Sequence, residues 1–476
     1  MHEKMRDNIY SLGIKNLFST FKSQIIALLV GVVLSFILPI VIGIEQFGYW
    51  QVYLLYVTFA MFYGLGFTDG IYLIYGSYDY EDLPYEKLRS TLRVYTITAF
   101  IFTLLALLLT FMEKDSNKQF ALMAASLNIF LLLLSNAAIS ILQVTNRIRE
   151  YSFIVAFSKL MLLILIVLLI VLNVCNFKTI IAVDLFTKAV VLTINIFLLK
   201  DVFFGKSSNF NAAIKDWFLN VRTGIMIMLA VYASTFVMNV GRIVIERFEG
   251  IRIYSSYALS ISISSFFLIF VGAFSLSFYP FLMRINQIKL PKVYDKTNKF
   301  LFFVSFVMLG FYYPLTFIIH YWYRDYIGVI QYLPFFLIMT LMQGKEQFLH
   351  ITYMKALRKE HLLLLYNLVF TIIASTIIIP LYFLTRSVYW VALITSLLII
   401  IKSYSFEYYL RKKRLDLDFK NVLPELMLVV FFVFTTTFTE VLLGLLLFVL
   451  VVIIQYLLNR SFLISFAKRL YSEFRS

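Results

Sequence analysis

Apolar runs long enough to cross a bilayer recur about every thirty residues from Ser23 to Leu458, and the lysines and arginines fall mainly in alternate gaps between them. A hydrocarbon core about 30 Å thick needs about 20 apolar helical residues, and only helices or closed barrels satisfy their backbone inside it. The runs have helical length, so the sequence predicts an all-α polytopic membrane protein. Spans are expected over residues 23–43, 49–72, 91–112, 120–143, 153–174, 179–199, 220–241, 254–281, 300–320, 327–349, 361–383, 387–408, 424–439 and 441–458. The thirteenth is short and ends in the Thr435–Thr437 cluster, which leaves a re-entrant piece open.

Composition agrees. Of 476 residues, 61% are hydrophobic and 14% charged, whereas soluble domains carry about 25% charged residues. The net charge of +16 is spread over many short loops and forms no stripe, so lipid headgroups and topology account for it better than nucleic acid. The one cysteine, Cys175, excludes an internal disulfide. Residues 1–22 lack the short apolar core and small-residue site of a cleavable signal peptide. Instead Ile9, Leu12, Ile14, Leu17, Phe18 and Phe21 alternate with Lys15 and Lys22, an expected amphipathic helix on the cytoplasmic surface.

Topology follows from the basic residues. One set of alternate loops carries thirty of the forty-two, the other set eight, and four fall inside spans. Both termini are therefore expected in the cytoplasm. No gap has room for a catalytic or nucleotide-binding domain, and no phosphate-cradling loop is present. Gly344-Lys345-Glu346 lacks the upstream glycine and sits in an apolar span. Asp416-Leu417-Asp418 has the acidic spacing of metal-dependent glycosyltransferases, yet it lies in a short loop beside Arg411-Lys412-Lys413-Arg414 and reads as a solvated charge cluster. His2, His320, His350 and His361 show no metal-ligand spacing. No pattern calls for a cofactor or a metal, and none points to an enzyme.

Charge inside the membrane is costly and marks candidate function. Asp184 and Lys188 lie one helical turn apart near the middle of the sixth span, as a substrate and coupling pair or as a self-neutralising one. Lys159 sits six residues into the fifth span, and Lys345 and Lys402 lie near inner span ends, where snorkelling to the headgroups explains them more cheaply. Asp69 follows Gly64 and Gly66, whose missing side chains permit a hinge or close helix approach; it is a candidate gate carboxylate or a span-end cap. Arg242 and Glu246, at the outer end of the seventh span, are spaced to pair with each other. Most aromatic residues read as lipid-facing filler and interfacial belts, with Tyr49, Trp50, Tyr53 and Tyr257 left as candidates for stacking on sugars.

Three stretches carry a resemblance: Pro39 to Trp50, Leu65-Gly66-Phe67-Thr68-Asp69-Gly70-Ile71-Tyr72-Leu73-Ile74-Tyr75-Gly76, and Asn239-Val240-Gly241-Arg242-Ile243-Val244-Ile245 with Tyr257-Ala258. They resemble polysaccharide flippases of the Wzx type, which move O-antigen or capsule repeat units and belong to the multidrug/oligosaccharidyl-lipid/polysaccharide exporter superfamily. Where that family commonly has an acidic residue before the arginine, this chain has Gly241. The resemblance implies twelve core spans in two pseudo-symmetric six-helix bundles around a central cavity, plus a C-terminal helix pair here. Independently, Ile40-Val41-Ile42 and Ile243-Val244-Ile245 close the opening span of each half. The expected organisation is an N-terminal segment 1–22, a bundle over 23–199, a cytoplasmic linker over 200–219, a second bundle over 220–408, and a helix pair with tail over 424–476.

The leading expectation is a flippase carrying an undecaprenyl-diphosphate-linked oligosaccharide across the bacterial plasma membrane by alternating access. Lys188, Lys159 and Arg242 are the substrate-binding candidates; Asp69, Asp184 and Glu246 are the coupling or gating candidates; Gly64 and Gly66 are the hinge. Membrane lipids, a proton or sodium ion, a polysaccharide polymerase and glycosyltransferases are the partners it implies. The alternatives are a cation-coupled multidrug exporter of the same superfamily and a membrane-embedded polymerase or glycosyltransferase.

Overall fold

A computed structural model describes residues 29–76, 78–284, 290–357, 359–417 and 422–475, with side chains over the same residues apart from 269–270, 272–281, 283–284, 360–361, 458 and 461–475. The expected amphipathic segment 1–22, the start of the first span and Asp418 lie outside the described residues. Among those described there is no strand. The first half comprises α1 (Leu29–Ile42), α2 (Ile44–Thr58), α3 (Phe67–Tyr75), α4 (Tyr85–Thr110), α5 (Ser116–Val144), α6 (Ile148–Val171) and α7 (Phe177–Leu198). The second comprises α8 (Phe210–Phe248), α9 (Ile251–Arg284), α10 (Leu290–Gly310), α11 (Tyr312–Trp322), α12 (Val329–Lys345), α13 (Ile351–Ala356), α14 (Glu360–Thr385) and α15 (Val388–Leu410), and α16 (Leu423–Thr437) and α17 (Val441–Arg475) follow. Among the described residues eight helices are long and apolar enough to cross a membrane, nine when the bent pair described next counts as one span. The chain is a multi-pass membrane protein.

Local chemistry sets the breaks. Gly43, at φ 77°, turns α1 into α2 in one residue, and its N–H caps Pro39 O at 3.1 Å while its carbonyl accepts from Phe47 N at 3.0 Å. The second expected span, 49–72, is not one continuous helix. It passes through the 3₁₀ turn Ala60–Gly64 and reverses hand at Leu65 (φ 51°) and Gly66 (φ 77°), so α3 leaves at 52° to the segment before it. A left-handed leucine is strained and a left-handed glycine is not, so the bend relies on Gly66. The ninth expected span is likewise interrupted at Phe311, between α10 and α11. Asp115 and Asn176 start α5 and α7 as N-caps, the latter in a capping box with Thr179.

The face bearing the lysine- and arginine-rich loops is called here the basic face. On the opposite face α2 packs on α9, and one apolar cluster runs across both halves through Phe47, Trp50, Val240, Tyr257 and Phe336. Towards the basic face the apolar clusters separate: one lies in the first half around Tyr95, Leu133 and Ile141, another in the second around Tyr294, Tyr353 and Phe406. There the halves meet where α8, about 58 Å long by helical rise, crosses α3. That contact is made by glycines. A Cβ on Gly224 would lie 2.1 Å from Gly66 O and 2.4 Å from Gly70 N, and one on Gly70 would lie 2.0 Å from Asn220 O. Lipid is as apolar as leucine, so close backbone approach supplies the association that burial of apolar surface would supply in water.

The residues joining the halves are pinned to the first. Arg89 donates to Asp201 O at 2.9 Å and Lys206 O at 2.6 Å, and Arg93 donates to Ser207 Oγ at 2.6 Å.

Candidate functional site

Asp184 on α7 is almost fully buried and accepts from two side chains of the first half. Lys188 Nζ, one turn further on the same helix, reaches Asp184 Oδ2 at 2.6 Å; Tyr53 on α2 donates its hydroxyl to the same oxygen; Asn128 on α5 donates to Tyr53. The Lys188 ammonium also stands 5.7 Å over the Tyr53 ring. Lys159 on α6 is exposed and within electrostatic reach of both Asp184 and Lys188. Two lysines thus stand near one carboxylate, with formal charges that sum to plus one. Lys188 is ion-paired; Lys159 is the open cation.

Arg242 and Glu246 take different partners, although their spacing suits a mutual pair. Arg242, 8% exposed, donates across the seam to Gln51 O at 3.1 Å and Gln51 Oε1 at 2.8 Å, and to Tyr254 Oη at 3.2 Å. Among the described residues no carboxylate contacts it. Glu246 is taken by Lys118 Nζ at 2.7 Å and by the Tyr56 hydroxyl at 3.1 Å, both from the first half. Glu113 accepts from Lys118 at 3.5 Å and Arg247 at 3.3 Å, and Arg252 bonds Glu45 at 2.7 Å. Apart from Lys118–Glu113, these pairs join the two halves at the opposite face. Lys118 and Glu113 read in sequence only as loop charges, and Arg242, one turn before Glu246 on the same helix, offered itself as the obvious partner.

Asp69 lies in the first turn of α3, where a helix N-terminus favours an acid, beside the Gly66–Gly224 contact. It is half-buried and carries no basic partner among the described residues. The hinge candidates sit at the bend, Gly66 in the left-handed region and Gly64 against Leu133 and Tyr95, whose atoms a Cβ there would meet at 2.9 Å.

Two sequence expectations are corrected. Lys345 and Lys402 do not snorkel: each side chain is 3% exposed, Lys345 against Glu425 at 2.5 Å and Glu407 at 3.1 Å, Lys402 against Glu346 at 2.9 Å. Their helices turn these lysines towards buried carboxylates, Glu346 and Glu407 of the second half and Glu425 of α16, and pairing there replaces a reach to the headgroups. Arg411 is not a solvated loop residue either. The π-turn Arg411–Leu415 continues α15 and buries its guanidinium against Glu407 and against Asp295 at 3.1 Å. His350 lies 3.0 Å from Glu407 in the same cluster. Of the aromatic candidates, Trp50 is buried and stacks on Tyr53 at 5.4 Å, Tyr257 meets Phe336 edge-on, and Tyr49 bonds Asp115 at 2.8 Å. All are engaged within the protein.

Two packed helical halves, joined by ion pairs at the opposite face and by a glycine contact and the Lys87–Asp216 pair at the basic face, define an all-α polytopic membrane fold. No family model and no curated protein matches the chain. Among solved structures it is similar to the lipid II flippase MurJ in its inward closed conformation, at 17% identity and a TM-score of 0.65, over 94% of this chain and 100% of that one. An outward-facing multidrug resistance MATE family transporter of the MOP superfamily matches at 13% identity and a TM-score of 0.49, over 84% of this chain and 97% of that one. The chain has the fold of the first.

Proposed function

We propose that this protein is a flippase that carries a lipid-linked oligosaccharide, with a diphosphate headgroup of the undecaprenyl type, from the cytoplasmic to the outer leaflet of a bacterial plasma membrane. The observation that carries the reading is the locus of Lys159 and Lys188 beside the single carboxylate Asp184, formally plus one. Each unsatisfied polar group costs several kcal/mol in hydrocarbon, and a diphosphate costs more. A cationic, hydrated passage lowers that barrier while the polyprenyl tail remains in lipid. In this reading the basic face is cytoplasmic, the locus receives the anion, and Arg242, held at the seam by neutral groups alone, is the next cation on the way out.

The gating roles divide between the faces. Opening the outer face requires separation of Lys118 from Glu246, whereas opening the inner face separates Gly224 from Gly66 and breaks the more exposed pair of Lys87 with Asp216, 3.0 Å apart. Asp69 and Asp184 are the candidate proton or sodium sites, and the Gly64–Gly66 bend is the hinge. The test is translocation of a lipid-linked oligosaccharide by proteoliposomes. Lys159→Ala is expected to lower the rate at least tenfold at matched protein, and an unchanged rate overturns the reading. One observation favours cation-coupled export instead, the unpaired carboxylate of Asp69; on that reading Asp69→Asn abolishes drug resistance and Lys159→Ala leaves it intact.

A further inference from the structure

At the opposite face, where α2, α9 and α12 begin, the chain forms a half-open cavity of about 300 Å³. Its lining mixes convergent polar side chains with the apolar Ile44, Ile253 and Tyr332. Arg252 and Ser256 come from the first turns of α9, Asp325 and Gly328 from the turn before α12, and Gln331 and Tyr332 from the first turn of α12. Ile44, the first residue of α2, closes it from the other half. Gly328 contributes no side chain, and the space a Cβ would take there stands 3.7 Å from Gln331 Nε2 and 3.8 Å from Ser256 Oγ.

We propose that this cavity is an exit-side saccharide subsite, which holds one sugar ring of the translocated glycan between the two halves. The assignment rests on the lipid-linked oligosaccharide reading. Three features select the ligand class. The volume is at the low end for ligand sites, about one ring in size and too small for a lipid tail or a folded partner. The lining carries one base and one acid, Arg252 and Asp325, and the Arg252 guanidinium is already held by Glu45 at 2.7 Å, so a free anion would have to displace that carboxylate. The amide, carboxylate, guanidinium and hydroxyl together offer donors and acceptors on several sides, and sugar hydroxyls both donate and accept. The buried Tyr332 ring forms an apolar wall beside them.

The position adds a consequence. An occupant in contact with Ile44 on one half and Gln331 on the other binds the closed outer seam better than an open one, so a ligand here shifts the population towards outer closure.

The test uses the purified full chain in lipid nanodiscs and saturation-transfer NMR with the methyl glycosides of glucose, galactose, N-acetylglucosamine and rhamnose. Saturation transfer is expected to at least one of them, reduced at least fivefold in both Asp325→Ala and Gln331→Ala, whose side chains are exposed and dispensable for folding, and retained in Lys159→Ala. The subsite is overturned when no glycoside shows transfer, or when transfer persists unreduced in both variants. Lipid-linked oligosaccharide in the nanodisc is expected to compete with the glycoside; absence of competition overturns the translocated glycan as the occupant. No transport is needed for this readout, so it and the translocation assay fail independently.

Discussion

Lys345 Nζ lies 2.5 Å from Glu425 Oε2, with the two side chains 3% and 6% exposed. One ion pair thereby ties α16, outside the two six-span halves, to α12 inside the second. The same ammonium bonds Glu407 at 3.1 Å, and Glu407 also holds Arg411 and His350. Glu346, Glu407 and Glu425 match Lys345, Lys402 and Arg411 in number, and the partly exposed Asp295 adds a further carboxylate on Arg411. Pairing makes the cluster tolerable in an apolar lobe, but removal of one member strands its partners.

Lys345→Ala is therefore expected to destabilise the protein by about 3–5 kcal/mol, the cost of breaking a buried pair from one side. Lys299→Ala, whose lysine is exposed and 3.8 Å from Asp295, is expected to change stability by less than about 0.5 kcal/mol. Thermal unfolding in detergent compares the two. Equal losses would contradict a special place for Lys345.

The closed opposite face depends on Glu246, which has no exposed side-chain surface and two partners in the first half. Glu246→Gln keeps the shape and removes the charge that Lys118 neutralises. The variant is expected to open this seam more often. In a background with Cys175 replaced by Ala, the measurement is maleimide labelling of Val240→Cys, a position 2% exposed in the closed seam, and the expected change is at least a tenfold faster reaction.

Gly224→Ala acts on the other face. Its added methyl group meets backbone, Gly66 O at 2.1 Å and Gly70 N at 2.4 Å, which cannot rotate away as a side chain can. The halves are expected to separate there and translocation to fall at least tenfold, with spin labels on α3 and α8 reporting a longer distance. Ala at Gly250, where nothing lies within 4 Å, is the silent control.

Span positions were legible because hydropathy repeats at helical length, and the Gly64–Gly66 bend was legible because glycine marks a conformation; the Gly43 corner was not read. The partners of charges were not. Depth along a span can be counted, and it assigned Lys345 and Lys402 to the headgroups; the rotation of each helix, which aims them at Glu425 and Glu346, depends on tertiary packing that no single segment encodes. Arg411 failed for a related reason. It opens the run Arg411 to Arg414, and a basic run reads as solvated unless a π-turn carries its first member inward. For Arg242 and Glu246 the helical spacing was right and the competition was unseen, since Lys118 arrives from a helix more than a hundred residues earlier.

The loop before α5 predicts acid sensitivity. Burial opposes ionisation of Asp115, yet the Tyr49 hydroxyl and the backbone N–H groups of Lys118 and Asn117 hold its carboxyl below the usual value of 3.8. Burial likewise opposes ionisation of Glu113, and Lys118, the N–H groups of Asp115 and Lys114, and Arg247 hold it below 4.5. A carboxyl lowered in the folded state contributes stability that is complete above its unfolded value and declines as pH falls through the folded one. Stability is therefore expected to be level above about pH 5 in this respect and to fall below about pH 4. Asp115→Asn keeps an N-cap oxygen and removes the ionisation, so it is expected to flatten the Asp115 part of that decline, whereas Asp115→Ala also loses the cap and costs about 1 kcal/mol at neutral pH. Unfolding midpoints of the three proteins between pH 3 and pH 7 decide it, and an Asp115→Asn profile parallel to that of the unaltered protein would refute the assignment.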